Sequence, residues 1–158
     1  MRKTLLRNAI KALRGEEGGP LVETALTMPI LIALIIGPVE LARVTYAAIE
    51  CSNAARAGAS YGALTLTTAS DTTGIQTVAS SDAANIASIM TATPTLSYIC
   101  SDGTASTGQN TDCSTSQIET IVTVTTSATV PAMVRLPGLP TSYTVHGKSV
   151  QKVANAGN

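Results

Sequence analysis

A chain of 158 residues is long enough for one domain plus a membrane or targeting segment. It contains no Phe, no Trp and only four Tyr, which excludes a large core built on aromatic anchors. Ten Lys and Arg balance ten Asp and Glu, and no basic patch is interleaved with aromatics, so the usual footprint of a nucleic-acid-binding protein is missing.

The charges are unevenly placed. Arg2, Lys3, Arg7, Lys11 and Arg14 precede an apolar run, against only Glu16 and Glu17. By the positive-inside rule this end stays cytoplasmic and the rest is exported. Residues 1–18 read as a basic leader ending in Gly18. Residues 24–39 carry no charge. As a helix they span about 24 Å at ~1.5 Å per residue. The hydrocarbon core is about 30 Å thick, and Leu21 and Val22 extend the run toward it. Pro29 and Pro38 lie inside this run, where membrane helices tolerate proline better than soluble ones do.

The helical pattern continues beyond the apolar run. Leu41, Val44, Ala48, Cys51, Ala55, Gly58 and Gly62 recur at steps of three and four. This predicts one helix from about Pro20 to about Leu64, with a heptad-like seam. The seam's outer half is small, which would let a partner helix approach closely. Cys51 reads as a small buried helix residue, with an intermolecular bridge as the alternative. Three parts follow: a leader over 1–18, a transmembrane and extended helix over 19–64, and an exported head over 65–158.

The stretch from Thr65 to Gly74 reads as turn-rich. A second helix is expected from Thr73 as N-cap, with Gln76 completing a capping box, to about Met90. Ile75, Val78, Ala79, Ile86 and Met90 would share one side, and Pro94 would lie beyond the end. Leu96, Tyr98 and Cys100 alternate with Thr95, Ser97 and Ile99. Ile118, Val122, Val124, Ala128 and Val130 alternate with Glu119, Thr123, Thr125, Ser127 and Thr129, a half-buried strand. A last strand is expected over about Tyr143 to Val153. The class is α+β, with a small antiparallel sheet of three to four strands. In an oxidising compartment Cys100 and Cys113 are placed to pair and close the Ser101–Asp112 segment. Such a loop contributes about 3 kcal/mol in the chain-entropy model.

Catalytic patterns are weak. His146 is the sole histidine, and a Cys51–His146 pair would require the long helix to meet the last strand. Three Cys and one His lack zinc-site spacing. Asp71, Asp82, Asp102 and Asp112 lack a calcium-loop pattern and suit capping and solvation. No Gly-rich phosphate loop is present. The residues therefore point to no catalytic group, metal, cofactor or small-molecule substrate.

Gly18, then Gly19, Pro20, Leu21, Val22 and Glu23, then a membrane helix, resembles the cleavage signal of class III (type IV pilin-like) prepilins. The wider pattern is similar to the TadE-like family of pilus assembly proteins of the tight-adherence (Flp/Tad) system. Val22-Glu23-Thr24-Ala25, Pro29, Glu40-Leu41-Ala42-Arg43 and the Asn53–Gly62 stretch carry that resemblance. It implies a minor pilin or pseudopilin, single-pass in the bacterial inner membrane, with a pilin-like head. It also implies cutting between Gly18 and Gly19 by a prepilin peptidase. The implied partners are that peptidase, the major pilin, other TadE-like subunits and the inner-membrane pilus platform. The new Gly19 ammonium would pair with Glu23 of a neighbouring helix, because an unpaired carboxylate in apolar surroundings is costly. A plainer reading leaves Glu23 solvated at the headgroup boundary. Two rivals stand beside this family: a secreted or surface protein cut near Tyr46-Ala47-Ala48 after an ordinary signal segment, and an uncut single-pass protein.

Overall fold

The structure, a computed structural model, describes residues 19–154 apart from 110, 114, 115, 136, 137 and 139. The leader, with Gly18, lies outside the described residues. Helix α1 runs Gly19–Gly62, closely as the periodicity predicts, and keeps Pro29 and Pro38 inside it. The chain divides into two compact units, and the boundary falls within α1, between Leu41 and Ala42. The described part of the first unit is helix alone.

The second unit is an α+β head. After α1 come two short helices, α2 (Leu66–Ser70) and α3 (Thr72–Asp82). Four strands follow: β1 (Met90–Cys100), β2 (Ala105–Ser106), β3 (Ile118–Pro131) and β4 (Ser142–Lys152). They form one antiparallel sheet in the order β2-β1-β3-β4. β3 is central along most of its length, and its period-2 pattern shows why. Val122, Val124, Ala128 and Val130 are buried, as expected, and so are Thr120 and Thr126 between them. Opposite them, Thr125 and Thr129 are exposed and Thr123 is half-buried.

The buried face of the sheet packs against α1. Ala47, Cys51, Ala54, Ala55, Gly58, Ala59 and Gly62 are all buried. Ala47, Cys51 and Ala54 cluster with Ala128 and Val130, whereas Ala59 clusters with Val122, Val124 and Val153. Within this unit α1 therefore runs antiparallel to β3. α3 closes the other side through Ile75 and Ala79. Ile75 heads the fully buried side chains by size, and it fills space left by two glycines. A Cβ added at Gly62 would meet its Cδ1 at 3.0 Å, and one at Gly58 would meet its Cγ2 at 3.3 Å. A single aliphatic side chain thus stands where an aromatic would anchor a larger core. Its full burial stabilises the fold by about 1.5–3 kcal/mol.

The expected second helix is corrected at both ends. Its N-cap is Asp71, whose carboxylate accepts from Gly74 N–H at 2.9 Å, and not Thr73. An ionised carboxylate near the positive helix end is a stronger cap than a hydroxyl. The helix stops at Asp82, and turns carry the chain from Ala83 to Ile89. Ile86 is buried from a turn, and Met90 opens β1. Pro94 lies within that strand, paired with Val124. The turn-rich stretch contains α2, with a reciprocal cap: Thr65 Oγ1 accepts from Thr68 N at 3.1 Å, and Thr68 Oγ1 from Thr65 N at 2.9 Å.

Cys100 and Cys113 form a disulfide, with Cα atoms 5.7 Å apart across 13 residues of sequence. Two carboxylates organise the loop it closes. Asp102 accepts from Thr104 N at 2.9 Å, from Thr104 Oγ1 at 2.6 Å and from Ser116 Oγ at 3.2 Å. Asp112 accepts from Thr107 N and Thr107 Oγ1, each at 2.6 Å, and from Ser106 Oγ at 3.1 Å. Hydrogen bonds from Thr104 and from Thr107, respectively, hold these two carboxyls below the ordinary range.

Both sheet edges are partly open. β4 is outermost on one side. On the other side β2 pairs β1 only at Tyr98 and Ile99. The Ala92 carbonyl on that side accepts from Gln76 Nε2 at 3.1 Å. Alternate residues of a strand present their backbone groups to the same edge. Pro94, two residues on from Ala92, therefore stands where an outward N–H would be, and it has none.

Candidate membrane anchor and assembly segment

The first half of α1 is apolar all round. Every residue from Gly19 to Ile35 is exposed, including Leu21, Leu26, Ile30, Leu34 and Ile35, each above 60%. A helix with no polar face in this stretch requires an apolar environment on every side. By length and composition α1 can cross a membrane.

Its two threonine hydroxyls are satisfied locally. Thr24 Oγ1 donates to the Pro20 carbonyl at 2.7 Å, and Thr27 Oγ1 to the Glu23 carbonyl at 3.0 Å. Back-bonded hydroxyls of this kind carry little penalty in lipid. Pro29 and Pro38 have no N–H for the carbonyls of Ala25 and Leu34, four residues earlier. Glu23 is exposed, four residues from Gly19 and so on the same helix face. Gly19 opens α1, and a Cβ there would meet nothing within 4 Å.

The seam divides in two. Leu41 is 68% exposed. Val44 is half-buried and packs on the Ala47–Cys51–Val130 cluster, and Ala48 is half-buried. Cys51, Ala55, Gly58 and Gly62 are buried. The small outer residues were expected to admit a partner helix. They are instead covered by this chain's own sheet and by α3. The physical reason is the one that made them fit a helix, since small side chains let any backbone come close.

The closest approach lies where α1 meets β4. A Cβ added at Gly147 would overlap the Cys51 carbonyl and stand 2.7 Å from the Ser52 nitrogen. Thr126, opposite Gly147 in the ladder, donates from Oγ1 to the Cys51 carbonyl at 2.7 Å, fully buried. Sequence reasoning missed both residues, along with Ala47, Ala54 and Ala59. The available signal was an isolated glycine inside a strand pattern, which marks close backbone approach.

The long helix does meet the last strand, yet Cys51 and His146 form no pair. Gly147 faces Cys51, so the neighbouring His146 points to the opposite face, where it is exposed. Burial pushes the Cys51 thiol up, away from the thiolate.

An apolar helix able to span a bilayer, continued by a small-residue face into a disulfide-closed α+β head, describes a membrane-anchored protein. Residues 21–60 match the family model described as TadE-like protein, all of them within α1. The match covers Val22-Glu23-Thr24-Ala25 and Glu40-Leu41-Ala42-Arg43, and it supports the resemblance read there. No curated protein and no solved structure matches the chain.

Proposed function

We propose that the protein is a TadE-like minor pilin or pseudopilin of a Tad-type pilus, working in pilus assembly for adhesion or secretion. The observation that carries this reading is the family match over α1, on a helix whose first half is exposed apolar surface on all sides. In this reading the precursor sits in the bacterial inner membrane with its N-terminus cytoplasmic and its head exported. A prepilin peptidase cuts between Gly18 and Gly19. The Gly19 ammonium then pairs with Glu23 of a neighbouring subunit, as a charge-assisted hydrogen bond in a dry setting. The major pilin, other TadE-like subunits and the membrane platform are its partners. The residues work by packing and charge pairing, without chemistry of their own.

Cutting near Tyr46-Ala47-Ala48 fits poorly, because Ala47 is 2% exposed in the head's core, within continuous helix. An intact-mass measurement on membrane-extracted protein tests the reading. Loss of residues 1–18 supports it. Loss of about the first 47 residues favours an ordinary signal segment, and an untrimmed chain favours a permanent single-pass anchor.

A further inference from the structure

β4 is an outermost strand of the sheet, and its backbone faces two ways. Ala132 N–H donates to the Thr141 carbonyl at 3.0 Å and Val153 N–H to the Thr120 carbonyl at 2.8 Å, with an unbroken register between them. Odd-numbered residues therefore bond to β3, while Ser142, Thr144, His146, Lys148, Val150 and Lys152 turn N–H and C=O outward. Those same residues are all exposed.

Within the head, α1 borders this edge. A Cβ on Gly147 would stand 2.7 Å from the Ser52 nitrogen, and Gln151 Nε2 donates to Ser60 Oγ at 3.0 Å. From Ser52 to Ser60 a helix rises about 12 Å, and from Gly147 to Gln151 a strand rises about 13 Å. Helix and strand thus run side by side in one direction. Arg56 lies midway in the Ser52–Ser60 row, level with Ser149. Ser52, Arg56 and Ser60 are exposed, whereas Gly58, on the other flank of α1, packs against Ile75 and Ala79 of α3.

Cations therefore flank the open edge on both faces of the sheet. Gly147 faces α1, so the neighbouring Lys148 stands on the solvent face, and Arg56 stands on the helix face. Among the described residues Lys152 is paired with Glu119, whereas neither Lys148 nor Arg56 has an acidic partner.

We propose that the β4 edge is a docking site for an extended, acidic segment of a second protein, which adds to the sheet as a further strand. Main-chain hydrogen bonds to the outward groups hold it. Successive side chains of the added strand point to opposite faces, so adjacent carboxylates reach Lys148 and Arg56 together. Val150, 55% exposed, offers apolar contact two residues from Lys148. The head of a second copy cannot supply this segment, because the sequence's one adjacent acidic pair, Glu16-Glu17, lies in the leader. The inference rests on the head alone and not on the reading of the anchor.

The probe is a fluorescein-labelled Thr/Val peptide with a central Glu-Glu pair, titrated by anisotropy against the full chain in nonionic detergent, beside its Gln-Gln counterpart. The expected result is binding of the Glu-Glu peptide. Lys148→Gln and Arg56→Gln should each weaken it about fivefold, the upper value for an exposed ion pair. The Gln-Gln peptide should bind about 25-fold more weakly, and the double variant should bind both peptides alike. Val150→Pro removes an outward N–H where an edge strand tolerates it, and should weaken the Glu-Glu peptide about tenfold. Equal binding of the two peptides to the wild type, no binding of the Glu-Glu peptide, or undiminished binding by Val150→Pro overturns the proposal. The two glutamine variants replace exposed side chains and keep the wild-type melt, so they decide the matter even if Val150→Pro does not fold.

Discussion

Replacing Gly147 with alanine should unlatch α1 from the sheet. The new methyl would overlap the Cys51 carbonyl and lie 2.7 Å from the Ser52 nitrogen. Both obstacles are helix backbone, which cannot rotate aside. Comfortable contacts need about 3.5–4.0 Å, so α1 and β4 must part by about 1 Å. That separation takes the Thr126–Cys51 hydrogen bond from 2.7 Å to beyond hydrogen-bonding reach. Overpacking costs about 1–3 kcal/mol, and leaving the buried Thr126 hydroxyl only the Gly147 carbonyl, at 3.5 Å, costs about 1–3 kcal/mol more. Removing glycine from a strand returns roughly 0.5–1 kcal/mol. The net loss is about 2–4 kcal/mol, a large share of a total of roughly 5–15 kcal/mol. At about 3–6 °C per kcal/mol for a head of this size, the melting temperature falls by roughly 6–24 °C. The assay is thermal unfolding of the full chain in detergent, followed by circular dichroism. Gly37→Ala is the control, because a Cβ there meets nothing within 4 Å. Thr126→Val combined with Gly147→Ala should cost less than the sum of the two, since both remove the same bond. A Gly147→Ala head melting with the wild type, or a Gly37→Ala chain falling equally, would refute the reasoning.

Gly18→Val should leave the precursor untrimmed, because a β-branched residue blocks close approach of a peptidase to the backbone; a normal trimmed mass would remove the cut site. Glu23→Gln should be inserted and trimmed normally yet co-purify less with pilus components, since an amide lacks the charged acceptor an ammonium prefers. Undiminished co-purification would make Glu23 a solvated boundary residue. Cys100→Ser should cost about 3 kcal/mol by the loop-entropy model, read as a lower melting point without reductant that matches the reduced wild type. Asp102 and Asp112 have carboxyls held below the ordinary range by their loop hydrogen bonds. Their support of the loop is therefore complete above about pH 4 and fades as pH falls through the lowered native values. Amide exchange at Thr104 and Thr107 should accelerate over that acidic window, and in Asp112→Asn the change at Thr107 should vanish.

α1 and β3 could be read from sequence because their periods persist over long stretches, and β4 because its bounding turns are proline- and glycine-rich. The region between Leu64 and Met90 could not. Its Ser, Thr and Ala residues suit helix, turn and cap alike, and Asp71 outcompeted Thr73 for the helix end. Ile86 and Met90 continue a helical spacing by chance, while Met90 also begins the alternation Met90, Ala92, Pro94, Leu96 that pairing with β3 rewards. Thr126 was hidden because a polar residue in an apolar row looks outward-facing until its acceptor, the Cys51 carbonyl, is known. The anchor and its motif were plain in the residues themselves. What the small face of α1 packs against was not, since glycine and alanine admit a strand as readily as a helix.

The unpaired flanks of the sheet bear on how such a head survives crowding. Proteins gathered densely on one surface risk adding strand to strand into an unplanned continuous sheet. On the β1 flank, Pro94 deletes the outward donor between Ala92 and Leu96, while Gln76 occupies the Ala92 carbonyl. On the β4 flank, Lys148 is exposed, and a charged residue on an edge strand opposes a second copy laid alongside. Both flanks thus carry a feature that opposes edge-to-edge pairing of heads.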